Sequence, residues 1–503
     1  MIVNKLLAII KRLLAKINLF FYLTRFTFIK LQIITPSETA KLCSCGLNPE
    51  LLSKNFKSYV DQITDYHLPD FQVEILQGKK ISSICPYCGK KVFSNQSFPL
   101  IEVGFDLPIF YRFHCCYEYF LIIGRSPSKR QGIFIPNSKL VISFEDYLTT
   151  QHNHYYYSKT VFINWIYRIQ SLIRTNSDAY NSYCNNSEKR LLLIIGFLGN
   201  FGHHLPDELG GAFQIQEHFK DVPVVYLGPN NWFSFQDLFN SFPIIDEPVL
   251  NPPSVEELFK FTLEENFLAF RATSVGDIPE KLAQSMIEQS LDKCRPEIMS
   301  DIALSEKSWP LLWITLRSSV RCWENEIEAL PLIINELSCE YPDMGIVFDG
   351  ASSEFQNFTL IRDKLLKGVS VHCALNCNIQ ETILWVSKID FFLAPLGQGI
   401  IFTTATNKPG LLHTHSKWFL FTPSIAVLNN KLELFHTPLK WGIESLTNII
   451  PTRRENGIEC SLISGKITSG QDVFSYNYEI PYDLILTILR QELAKLKRRT
   501  APS

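Results

Sequence analysis

Between residues 189 and 415 short runs that are apolar on both faces alternate with segments whose apolar residues recur every three or four positions. LLLIIGFLG, VPVVYLG, PLLWITLRS, MGIVFDG, GVSVHCAL and DFFLAPLG have strand length and no polar face, which suits strands covered by helices on both sides. PDELGGAFQIQEHF, SFQDLFNSF, NEIEALPLIINELSCEYP and IQETILWVSKI, set between them, carry the helical period. Regular exchange of strand and helix implies parallel sheets. The series breaks at a helical stretch, Pro279–Ile302, followed by a hinge at Ser308–Pro310. Two α/β domains are therefore predicted, at 189–307 and 308–450.

The flanks read differently. Residues 36–150 hold strand-like FQVEIL, PLIEVGF, YRFHCCYEYFLIIG and GIFIP, broken by Gly, Pro, Asn and Ser at turn-like intervals, and predict a small β-rich domain. Residues 151–188 give a helix and a polar linker, and 451–503 a tail ending in a helix over Pro481–Arg499. Residues 1–35 predict a basic amphipathic helix. Lys5, Lys11, Arg12 and Lys16 lie on one face, and Ile2, Leu6, Ile9, Ile10, Leu13, Leu14 and Ile17 on the other. That pattern suits an anionic membrane surface, and its longest uncharged run, Ile17–Thr24, is too short to span a bilayer.

Composition narrows the class. The chain has 503 residues, 46% apolar and 19% charged, so it buries large cores and is not wholly disordered. A net charge of -2 with no basic domain argues against nucleic acid as a partner. Thirteen cysteines, an odd and scattered set, fit a reducing compartment better than a disulfide framework. Four of them, Cys43, Cys45, Cys85 and Cys88, form a candidate structural zinc site. In CPYCG the glycine allows a tight turn that aims two thiolates at one ion. Cys115 and Cys116 are spare candidates whose adjacency makes them poor joint ligands.

The densest chemistry lies in LLLIIGFLGNFGHHLPDELGG, where a buried strand opens into a glycine loop at the mouth of a helix. Ligands of open α/β sheets bind beyond the carboxyl ends of strands, where such loops sit. His203, His204, Asp207 and Glu208 then place proton-transfer groups within a turn of one another. Either histidine can serve as a general base, with His204 favoured by its nearness to the helix start and its acids.

Three blocks carry a family resemblance. GNFGHHLPDEL, ITLRSSVRCWENEIEAL and IDFFLAPLGQGIIFTTATNKPGLLH resemble, over about residues 190–415, glycosyltransferase family 61 and its bacterial relatives. The resemblance implies an α/β fold of two Rossmann-like domains facing across a cleft (GT-B type). It further implies an inverting transfer of a sugar from a nucleotide-sugar donor to a hydroxyl of a glycan or lipid-linked acceptor. In such an enzyme Arg317, directly after a strand, and Arg321, one turn along a helix opening at Ser318, would hold the donor phosphates. Gly397 and Gly399 would admit the same anion at a helix start, and Glu326 would accept hydrogen bonds from ribose or sugar hydroxyls. The chain has no Asp-x-Asp motif, so a metal-chelated donor is not expected and catalysis needs no cofactor. Leu396 and Gln398 depart from the family pattern, which leaves open a non-catalytic membrane-associated binding or assembly protein of the same fold. Either way the expected place is cytoplasmic, peripheral on the inner face of the membrane.

Overall fold

The computed structural model describes residues 32–34, 47, 64–100, 108–124, 129–143, 159–199, 201–219, 221, 223–230, 232–239, 242–245, 255–272, 278–396, 403, 406, 408–415, 447–448, 460–470 and 475–500. Of the segment 1–35 expected as an amphipathic helix, residues 1–31 and 35 lie outside them, and Gln32–Ile34 form a strand instead, paired with Leu140–Ile142. Among the described residues no helix is long and apolar enough to cross a membrane.

The N-terminal unit is a six-stranded sheet. In chain order its region supplies β1 (Gln32–Ile34), β2 (Ile81–Ile84), β3 (Lys91–Ser94), β4 (Ser97–Pro99), β5 (Ile109–His114), β6 (Glu118–Gly124), β7 (Lys129–Ile135) and β8 (Leu140–Ser143). The sheet runs β1-β8-β7-β6-β5-β4, antiparallel except between β1 and β8, while β2 and β3 form a separate hairpin. Period-two alternation splits β5: Ile109, Tyr111 and Phe113 enter one core, and Phe110 enters another. The first core continues into the following α/β lobe, and the second packs under the helices Lys159–Thr175 and Ser177–Asn185. Tyr111 Oη donates to the carbonyl of Ala269 at 3.0 Å and Ala269 N donates to Ser97 Oγ at 2.6 Å, which locks the β-rich unit to that lobe.

FQVEIL is not a strand but part of the helix Asp70–Gly78. Its apolar residues permit either structure. The flanks decide for helix: Pro69–Asp70 is a helix-start signal, and Lys79 closes the helix in the left-handed conformation at φ 48°.

The first α/β lobe has β9 (Arg190–Ile195), β10 (Val224–Leu227), β11 (Ile244–Ile245) and β12 (Phe267–Arg271), all parallel, in the order β11-β10-β9-β12. The second lobe has β13 (Leu311–Thr315), β14 (Gly345–Asp349), β15 (Ser370–Cys373), β16 (Phe391–Pro395), β17 (Gly410–His415), β18 (Thr447–Asn448), β19 (Cys460–Ser469) and β20 (Asn477–Glu479). Its order is β15-β14-β13-β16-β17-β19-β18, parallel from β15 to β19, with β18 and β20 antiparallel to β19. These are two Rossmann-like α/β domains. Residues 460–500, read from sequence as a tail, complete the second one: β19 and β20 extend its sheet, and the helix Tyr482–Thr500 buries Ile485, Leu486, Ile488, Leu489 and Leu493 in its core.

The lobes meet where the helix Glu280–Leu291 packs on the helix Ile379–Lys388, whose Ile383 is buried in the first lobe's core. Arg295 clamps Glu381 with two bonds, Nε to Oε1 at 2.6 Å and Nη2 to Oε2 at 2.8 Å. Gln380 Nε2 donates to the carbonyl of Trp232. The amino end of a second-lobe helix thus abuts the loop after β10.

Candidate functional site

In each lobe the chain leaves the strand at the middle of the sheet in one direction and later returns on its other side. The resulting switch points, β9/β12 and β13/β16, open crevices at the strand carboxyl ends. Buried ionisable groups sit at both.

At the first, β9 ends and Gly196 turns the chain at φ 86°. The loop after β10 presses close. A Cβ on Gly228 would stand 2.6 Å from the Gly196 carbonyl, and Asn230 N donates to that carbonyl at 2.8 Å. The helical segment that follows is α-helical at Phe201–His203, π-helical at His204–Leu209 and α-helical again at Gly210–His218. Pro206, without an N–H, cannot close an ordinary turn here, and the wider turn lays His204 and Glu208 side by side.

His204 Nδ1 lies 2.7 Å from Glu208 Oε2, with the two residues 1% and 0% exposed. Glu208 also accepts from Gly196 N at 2.9 Å and from Arg271 Nη2 at 3.4 Å, at the end of β12. Burial alone would raise the Glu208 carboxyl. The hydrogen bond from His204 and the charges of His204 and Arg271, with the Gly196 N–H, outweigh it and hold the group below its ordinary value. Glu208 occupies Nδ1, which leaves Nε2 as the ring nitrogen that can meet a ligand. Nε2 has no hydrogen-bond partner among the described residues. Trp232 lies against the ring, with centroids 4.9 Å apart.

At the second switch point Arg317 follows β13 by two residues. Burial lowers its guanidinium below the ordinary arginine value, although it stays charged at neutral pH, and Nη1 is buried with no hydrogen-bond partner among the described residues. The loop around it is fixed on two sides. Glu354 accepts from Ser318 Oγ at 2.7 Å and from Ser318 N at 3.2 Å. On the other side Cys322 and Glu324 exchange backbone bonds with Tyr478 of β20. The helix expected at Ser318 begins instead at Glu326, because this pairing extends the loop and Arg321 turns at φ 55°. Arg321 therefore sits in a loop, not one helical turn beyond Arg317.

Glu326 is buried at that helix start. Desolvation, together with the neighbouring Glu354 carboxylate, pushes its carboxyl well above the ordinary value, while the Arg317 amide and charge oppose this. The Glu326 carboxyl stands beside the Arg317 amide, and the residue is 4% exposed. His413, on β17, meets Tyr478 Oη at 2.9 Å, and burial beside Arg317 lowers its imidazole to about 3.

This fixes a pH dependence. An unfolded histidine protonates near 6.5, so the stability from keeping His413 neutral is complete above that value and drains away as pH falls toward 3. Between pH 7 and 5 the loss is on the order of 2 kcal/mol. Urea unfolding at both pH values should show that slope in the native chain and a flatter one in His413→Gln.

The side chains of His203 and Asp207, all of Gly397 and Gly399, and Cys43 and Cys45 lie outside the described residues. Cys85 and Cys88 are described, and the thiols the structure brings to them are those of Cys115 and Cys116. Cys115 and Cys116, though adjacent, both reach the cluster because they sit in the turn between β5 and β6, where successive side chains do not alternate across a pleat. Sequence reasoning missed Arg271, Trp232, His413 and Tyr478. Arg271 had a visible signal, a lone cation closing the apolar run FLAF. A cavity of about 980 Å³ lies elsewhere, lined by Lys79, Lys80, Arg112, Lys189 and Arg190 among others, and by none of the residues at the two switch points.

Two Rossmann-like lobes, each with buried polar groups at its switch point, define the class of architecture. No protein-family model and no curated protein matches the chain. Solved structures similar to it include the glycosyl transferase family 9 protein from Veillonella parvula DSM 2008, at 10% identity and TM-score 0.28 over 65% of this chain and 79% of that one. E. coli ADP-heptose LPS heptosyltransferase II is similar at 10% identity and TM-score 0.35, over 61% and 99% of the two chains. UDP-GlcNAc 2-epimerase from Neisseria meningitidis, bound to UDP-GlcNAc, is similar at 14% identity and TM-score 0.25, over 52% and 66%. None of the three bears the family 61 name suggested by the sequence motifs. Likeness at these scores carries no information on chemistry.

Proposed function

We propose that the chain is a glycosyltransferase that moves a sugar from a nucleotide-sugar donor to a hydroxyl of a glycan or lipid-linked acceptor, by inversion and without a metal. The observation that carries this reading is the buried Nη1 of Arg317 at the β13/β16 switch point, unpartnered among the described residues. A desolvated guanidinium N–H is costly unless it meets an anion, and a planar fork suits phosphate oxygens. As the glycosidic bond breaks, negative charge grows on the phosphate leaving group, and a fixed cation in a dry crevice stabilises that charge most at the transition state. In the first lobe His204 Nε2, poised by Glu208, would take the acceptor proton as the hydroxyl attacks. The basic N-terminal segment would hold the enzyme at an anionic membrane surface near a lipid-linked acceptor.

Burial of His204 favours a second reading, in which the His204–Glu208–Arg271 cluster only braces the first lobe and the protein binds glycans without turnover. A thermal-shift screen of the full chain against nucleotide sugars separates the two. Saturation with the right donor at about one hundred times its Kd should add about 2.7 kcal/mol and raise Tm by roughly 2–3 °C. A flat response to every nucleotide sugar, with binding of free glycans, establishes the second reading.

A further inference from the structure

Outside both crevices four thiols converge. The sulfur atoms of Cys85, Cys88, Cys115 and Cys116 all lie within 4.8 Å of one another, and Cys88 Sγ stands 3.6 Å from Cys115 Sγ. Four sulfurs around a tetrahedral zinc ion at about 2.3 Å are about 3.8 Å apart, so the cluster already has the required size. The backbone is shaped for it. Cys85 N donates to the carbonyl of Lys90 at 2.8 Å, Gly89 N donates to the carbonyl of Cys85 at 2.9 Å, and Gly89 adopts φ 73°. These bonds fold Cys85–Lys90 into a tight turn that points both thiols the same way, and the Lys90 N–H is aimed at the Cys88 sulfur. Opposite it, Cys115 N donates to the carbonyl of Tyr117 at 3.3 Å in the turn between β5 and β6. The two turns also touch through Tyr87 and Tyr117, whose ring centroids are 4.9 Å apart.

We propose that Cys85, Cys88, Cys115 and Cys116 bind one zinc ion as four thiolates. Four sulfur ligands leave no open position, so the site is structural rather than catalytic. Its task is mechanical. The β2–β3 hairpin is a two-stranded piece outside the six-stranded sheet, and the ion ties it to the turn of that sheet's β5–β6 hairpin. Isolated two-stranded hairpins are marginal in water, which gives the clip something to hold. The pairing with Cys43 and Cys45 expected from sequence is thereby replaced by a pair some thirty residues downstream of the CPYC turn.

The test uses the full-length chain purified without chelator and without added metal. Elemental mass spectrometry should find one zinc per chain. Iodoacetamide should then spare Cys85, Cys88, Cys115 and Cys116 and modify them once a chelator has removed the zinc, with each site read by peptide mass mapping. Chelation should also lower Tm by on the order of 5–10 °C. Cys43→Ser combined with Cys45→Ser should leave the zinc content unchanged, and Cys88→Ser combined with Cys115→Ser should abolish it. If that second variant does not fold, the alkylation map of the unaltered chain decides. A chain without zinc, iron in its place, a Cys88–Cys115 disulfide, or loss of zinc in the Cys43/Cys45 variant overturns the proposal.

Discussion

Replacing Arg317 with methionine is expected to reduce sugar transfer by about 10²–10³-fold, the usual effect of deleting one donor to a developing oxyanion, and yet to leave the protein as stable as before or slightly more so. The two halves of this expectation come from one observation. A guanidinium with a buried, unpartnered Nη1 is paid for in desolvation by the empty protein. Swapping it for an apolar side chain of similar length removes a penalty of roughly 1–3 kcal/mol. Loss of charge close to the neutral His413 further relaxes the second lobe. Arg317→Lys should fall between, since an ammonium supplies charge without the fork. Transfer assays and urea unfolding on the same preparations give both numbers. An Arg317→Met protein that unfolds earlier and transfers normally would assign the residue to architecture alone.

Glu208→Ala should be the most damaging single change in the first lobe, costing about 3–5 kcal/mol in urea unfolding, because it strands a buried cation. Among the described residues Arg271 Nε and Nη1 lack partners, and the side chain's one hydrogen bond, from Nη2, is to Glu208. The Gly196 N–H loses its acceptor as well, and that glycine is where β9 turns into the crevice. Adding Arg271→Met to Glu208→Ala should recover a large part of the loss, since the uncompensated charge leaves with the arginine. Glu208→Gln keeps the shape and removes the charge, so it should cost less and abolish the acid-side contribution of this group. Because the folded carboxyl lies below its unfolded value, that contribution is full above about pH 4.3 and declines as pH falls through the folded value. If Glu208→Ala and the double variant unfold together, the cluster is not the keystone described above.

What was legible in the sequence follows from range. The parallel sheets were legible because LLLIIG, WIT and FFLAP are runs that only a two-faced interior accepts. His203, His204, Asp207 and Glu208 were legible as a group within one helical turn, but spacing fits His203 with Asp207 as well as His204 with Glu208, and only the packing of the segment singles out the second pair. FQVEIL was misread because a six-residue apolar run fits either period, and its helical flanks outweigh it. The loop at Arg317 was misread for the opposite reason: its shape is set by Tyr478, far along the chain, whose backbone bonds to Cys322 and Glu324 no local rule anticipates. The same holds for His413, Arg271 and the pairing of Cys85 and Cys88 with Cys115 and Cys116, all products of tertiary approach.

The helix Ile379–Lys388 belongs to the second sheet's crossover, yet Ile383 is rooted in the first lobe's interior and Glu381 grips Arg295 in the connector. The β-rich unit is welded to that same interior, so it has no freedom of its own. Any widening or narrowing of the space between the sheets must therefore swing about this buried axle, carrying the described part of the β-rich unit and the first lobe together.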